Sequence, residues 1–249
     1  MAPRSARPVC CTTPHYGEQH ASNIVLEPNS HNRGIVNALT RPLALALLLG
    51  TLLLAGGAAL HPILHGDGSM ELGMIGSMAI WRTMHLCMLG GTGLIVIGIW
   101  VRLVGTPSNS QTTGIVIAAL TIITVGIALD SLNTTFMAGP AWRMAAALAA
   151  GDTTVTHQFE LMHSVGLMSA RFGNSVIALG AFLLGAAEWM TAGRPRWLAV
   201  LAWIAAAGGL VGVIFFDEAT PEMLGAVSLL CGWQVGAAIV ALQKPRPLN

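Results

Sequence analysis

"HQFELMHSVGLMSARFGN", residues 157–174, places a glutamate, two histidines, an arginine and an asparagine at the head of a run that stays apolar to residue 188. At about 100° per residue on a helix, Glu160, His163, Arg171 and Asn174 fall within an arc of roughly 80°, with Ser164 close by. They form one polar stripe on an otherwise apolar cylinder. Polar side chains in a membrane-spanning helix face the bundle interior or a wet cavity, because lipid offers them no partner. The stripe therefore predicts a helix that crosses a bilayer and looks inward.

The rest of the chain supplies the bundle. Of 249 residues, 54% are hydrophobic and only 9% charged, against about a quarter charged in soluble domains. Apolar runs occupy approximately 42–62, 76–103, 113–133, 160–188, 197–216 and 222–242. Each can cross about 30 Å of hydrocarbon at 1.5 Å per residue. The fold class predicted is an all-α membrane protein, a six-transmembrane helical bundle. A short interfacial helix is expected between spans three and four, starting at Pro140 in "AGPAWRMAAALAAGD". Thr220 is the expected cap of the last span, with Pro221 and Glu222 in its first turn.

The domain reading is a disordered tail over 1–40, a transmembrane domain over 41–243 and a short tail over 244–249. The tail is polar and rich in Pro, Ser, Asn and His, without apolar periodicity. "LALALLLGTLLLAGGAA" behind Arg41 has the look of a signal-peptide core. The polar lead before it is too long for that class, so an uncleaved first span is expected.

An even number of spans puts both termini on one side. Arg33, Arg41, Arg102, Arg194, Arg196, Lys244 and Arg246 share it, while Asp67, Glu71, Asp152, Asp217, Glu218 and Glu222 collect opposite. The positive-inside rule then makes the basic side cytoplasmic, in a plasma membrane. Lipid is the expected partner, with other membrane subunits or a homo-oligomer as further candidates. A net charge of +1 offers no field for nucleic acid.

Candidate site residues follow from depth and spacing. His85, Asp130 and Arg171 lie at matched depth on spans two, three and four, which predicts an Asp130–Arg171 ion pair completed by His85 and Asn174. Arg82 and Glu160 complete this buried polar network. Towards the acidic side, His61 and His65 stand four apart, and His157, Glu160 and His163 open span four. Histidines at i and i+4 can chelate one metal ion, or form an interfacial couple facing water. His61, His65, His85 and His163 are the metal candidates; His61, His85 and His163 are the candidates for a bound cofactor. Methionines 70, 74, 78, 84 and 88 recur near them. Thioether with imidazole suits copper(I) or a His/Met-ligated haem, though methionine also fills gaps between helices.

Three functions remain open: a redox protein holding haem b or copper near the outer face, a proton-coupled small-solute transporter, and a non-catalytic accessory subunit. The first is preferred, since histidine and methionine concentrate with carboxylates on one side. Of the possible axial pairs, His61 with His85 is closer in depth than His85 with His163. No HExxH, GxSxG, Walker A or CxxC motif indicates an enzyme. Cys10 and Cys11 are adjacent in the tail, and Cys87 and Cys231 sit in apolar runs; none has metal or redox spacing.

Overall fold

The computed structural model describes residues 30–104, 110–215 and 221–243; of 30–37, 110 and 221–224 it describes the backbone alone. Every regular element among these residues is helical: α1 (Ser30–Leu60), α2 (Gly68–Ser77), α3 (Trp81–Gly98), α4 (Val101–Val104), α5 (Ser110–Phe136), a π-helical turn (Met137–Ala141), α6 (Trp142–Ala149), α7 (Val155–Met190), α8 (Arg196–Phe215) and α9 (Pro221–Leu242). Six helical segments are long and apolar enough to cross a membrane: Ala38–Leu60, Trp81–Val104, Gln111–Ala149, Val155–Met190, Arg196–Phe215 and Gly225–Leu242. The chain is an all-α, six-helix membrane bundle.

Local chemistry sets the breaks. Pro62 disfavours helical geometry for the residue before it, and α1 stops at Leu60. Asp67 then caps α2, its carboxylate accepting from the backbone N–H of Ser69 at 3.1 Å and of Met70 at 2.9 Å. The run expected to start span two at 76 is thus divided: α2 is a separate short helix, and the span itself begins at Trp81. Pro140 has no N–H to give and its ring crowds the preceding turn. The helix widens into a π-turn there and continues directly into α6. The expected short helix is α6, begun at Trp142 rather than Pro140. Residues 1–29 of the expected tail, Thr220 and the charges of residues 217, 218, 244 and 246 lie outside the described residues, as do the side chains of Arg33 and Glu222; the chain is already helical from Ser30.

The spanning helices pack as a closed ring, in the order α1, α3, α5, α7, α8, α9 and back to α1. Close approach needs glycine. A Cβ on Gly173 of α7 would lie 2.6 Å from Gly126 O and Asp130 N of α5, and one on Gly50 of α1 would lie 2.6 Å from Gly91 O of α3. A Cβ on Gly208 of α8 would meet Leu229 of α9 and one on Gly236 of α9 would meet Trp197 of α8, whereas one on Gly232 would meet nothing within 4 Å among the described residues. Large apolar side chains such as Leu49, Ile97, Val165 and Phe172 point outward. Water would not tolerate that surface; lipid does.

The two ends of the bundle differ. At the end carrying Arg102 and Arg194, Leu47, Ile99, Leu120, Leu184 and Leu198 close the centre with apolar packing. Arg102 and Glu188, both almost fully buried, form an ion pair between α4 and α7 there. At the other end, α2 and α6 pack on each other and on α7 as a cross-layer, over a second core that includes Leu72, Ile75, Trp81, Phe136 and Phe159.

Candidate functional site

Beneath that layer lie two adjoining cavities, of about 280 and 200 Å³. Ala58, Met88, Asn133, Thr134 and Leu167 line both, so the space runs from one into the other. The outer cavity is half-open and gathers His61, His85, His163 and Glu71. The inner one reaches Asp130, Arg171, Asn174 and Gln234.

His61 follows the end of α1 and His85 lies one turn into α3. Their rings meet edge to face with centroids 5.0 Å apart, and Trp81 packs 4.4 Å from His85 and 5.1 Å from His61. Each imidazole is held by its Nδ1, to Trp81 O at 2.9 Å for His85 and to Pro62 O at 2.6 Å for His61. A carbonyl can only accept, so Nδ1 carries the proton in both rings and Nε2 of the neutral form keeps a lone pair. Burial lowers the His61 pKa and favours that form; the Pro62 hydrogen bond opposes the shift in part, and the nearby His163 adds to it. Trp81 is itself pinned, its indole N–H donating to Met137 O at 2.9 Å. The π-turn at Pro140 thereby supplies the carbonyl that fixes the tryptophan under the histidines.

The polar stripe of α7 serves two places. At its outer end His163 Nδ1 meets Glu71 Oε2 at 3.1 Å, and Glu160 accepts from Gly68 N at 3.1 Å. Both contacts tie α2 to α7 across the cavity mouth. Deeper in, Asn174 donates to Asp130 at 3.2 Å and to Ala170 O at 3.1 Å. Arg171 extends to α8, donating to Val213 O at 2.7 Å. Asp130 and Arg171 line one cavity without forming the expected ion pair, because the arginine's long side chain reaches the neighbouring helix first. His85 belongs to the outer group instead of the Asp130 level.

Other expected residues disperse. α1 ends before His61, so the i, i+4 relation with His65 is lost, and His65 is exposed with Nδ1 3.2 Å from Ile63 O. Arg82 points away from His85 and lies over the Trp142 ring, 5.5 Å from its centroid. His157 is exposed. Of the expected methionines, Met70 points outward and Met88 borders both cavities; Met137 also lines the outer one. Among the described residues no three His, Cys, Asp or Glu side chains converge as a metal-holding group. A haem iron gripped from both faces at bonds of about 2 Å would hold its imidazole centroids about 6 Å apart. His61 and His85 are closer than that, in direct contact.

Sequence reasoning passed over Asn133, Trp81 and Gln234. Asn133 is one turn from Asp130, and Trp81 one turn from His85; same-face spacing could have flagged both. Asn133 Oδ1 is buried, presses on Gly166 and receives no hydrogen bond among the described residues. Gln234 accepts from Thr51 at 3.0 Å, joining α9 to α1, a relation no local pattern reveals.

No family model, curated protein or solved structure matches this chain.

Proposed function

We propose that this protein is a proton-coupled carrier of a small solute, with its basic end in the cytoplasm of a plasma-membrane protein and its histidine end outside. One observation carries the reading: two cavities with shared walls lead from the histidines to a carboxylate, Asp130, in the middle of the bundle. A membrane-embedded carboxylate is costly as a bare charge. It is relieved by a proton or by a charged solute, and that competition is what couples the two. His61 and His85, with unprotonated Nε2 atoms, would pass protons towards it. The apolar plug and the Arg102–Glu188 pair close the opposite end, as an outward-facing carrier requires.

Cys231, a free thiol lining the inner cavity, offers the test. In a background with Cys10, Cys11 and Cys87 replaced by serine, a membrane-impermeant methanethiosulfonate is added to one face of oriented proteoliposomes. Labelling from the histidine face, and more slowly from the basic face, is the expected result. A static pocket would be labelled from one face alone, and a sealed one from neither.

A second reading has its own support. Metal-binding histidines commonly donate the non-ligating N–H to a carbonyl, as both of these do. Two imidazoles on one tetrahedral ion, at bonds of about 2 Å, have centroids about 5 Å apart, the separation observed. Met88 could supply sulfur, and copper(I) is the ion this set would favour. Binding of copper(I) by the purified protein, lost in His61→Ala and His85→Ala alike, would establish it; stoichiometric loss in neither would remove it.

A further inference from the structure

The geometry points to a small aliphatic ammonium ion as the solute of the inner cavity, a conclusion that rests on the carrier reading above. The groups along the path are acceptors in want of donors. His61 and His85 have spent their N–H on backbone carbonyls and present Nε2. Asn133 Oδ1 is buried without a donor among the described residues. An acceptor left unmatched in a buried place marks this wall of α5 as short of donors. Asp130, one turn away on the same face of α5, receives Asn174, and its carboxylate has acceptor capacity to spare. An ammonium brings up to three N–H donors and one positive charge, which answers the Asp130 carboxylate.

The remaining surface sets the body of the ligand. Leu54, Ile95, Ile127, Leu167, Ile177 and Leu230 line the chamber, which among the described residues offers no aromatic ring for stacking. A volume of about 200 Å³ suits a chain of a few carbons. Arg171 argues for the opposite charge, and an anion would be recognised there. Its guanidinium, however, is directed at the Val213 carbonyl on α8, while Asp130 of α5 lines the space. Proton and ammonium would then neutralise Asp130 in turn, so that one leaves as the other binds.

The test compares thiol reagents of opposite charge at Cys231, in the same proteoliposomes. Rates for aminoethyl and sulfonatoethyl methanethiosulfonate are each normalised to a free thiol in solution. The cationic reagent should react on the order of tenfold or more faster, the low end of charge focusing in a narrow cleft. n-Butylammonium should slow the labelling and n-butyrate should not. Asp130→Asn should abolish the preference; if that variant misfolds, the wild-type preference and protection still decide. Equal rates, or protection by butyrate, would overturn the ammonium assignment while leaving the carrier standing. No labelling by either reagent would remove the carrier reading itself.

Discussion

Arg102 and Glu188 meet as a buried ion pair at the end of the bundle opposite the histidines, one on α4 and the other near the end of α7. The two residues are far apart in the sequence and join the second span to the fourth. Arg194, in the turn that follows α7, lies beside them, and burial lowers its pKa.

Removing one partner deprives the other buried charge of this contact. Arg102→Met or Glu188→Gln should each cost about 3–5 kcal/mol, with the double variant recovering part of the loss. A double-mutant cycle from detergent-solubilised unfolding measures this. Simple additivity would show that the pair contributes no coupling.

The α5–α7 seam should be equally sensitive for a steric reason. Gly173→Ala drives a methyl against the backbone of α5, and overpacking of that kind costs about 1–3 kcal/mol. Gly93→Ala, with nothing within 4 Å of its Cβ, should leave the melting temperature unchanged. Equal melting points for the two variants would contradict the packing described.

Acid should loosen the histidine end. The His61 pKa is depressed on folding, chiefly by burial. Its contribution to stability is therefore full above the unfolded value of about 6.5 and is lost as pH falls through the lower folded value. Thermal unfolding should show a decline below about pH 6.5 that is shallower in His61→Asn. Identical profiles for wild type and variant would mean that His61 is not buried in the neutral form.

Orientation is checked independently. A reporter inserted at Gly151 should lie outside the cell, and reporters at Gly193 and after Gln243 should lie in the cytoplasm. The reverse pattern would move the histidine cavity to the inner face.

How much was legible depends on how local the cause is. Six apolar runs and the acidic and basic ends can be read one residue at a time, because hydrocarbon thickness and the charge asymmetry of loops act on short stretches. The α7 stripe was legible for the same reason: helical periodicity alone brings Glu160, His163, Arg171 and Asn174 to one face. The split of residues 68–98 into two helices was missed, although Asp67 ahead of Ser69 and Glu71 is a helix-start signal.

Depth matching went wrong where reach and rotation mattered. Asp130 and Arg171 do lie along one cavity, yet Arg171 bonds to α8 and Asp130 to Asn174. A linear count gives height along the membrane normal and says nothing of which neighbour a flexible side chain meets. The methionines failed similarly: the four-residue intervals of 70, 74 and 78 and of 84 and 88 fall on either side of the break between α2 and α3, and Met70 and Met88 end on different surfaces.

The amino-acid sequence by itself determined the solvent, the number of crossings and the polar face of α7, since each follows from the free energy of placing a residue in hydrocarbon or in water. Only the tertiary structure decided the ring order of the helices, the Arg102–Glu188 and Thr51–Gln234 links, and the meeting of His61, Trp81 and His85 above a cavity that ends at Asp130. Those relations depend on where glycines let backbones touch and on which side chains then share a gap, and both are set by packing between segments remote in the chain.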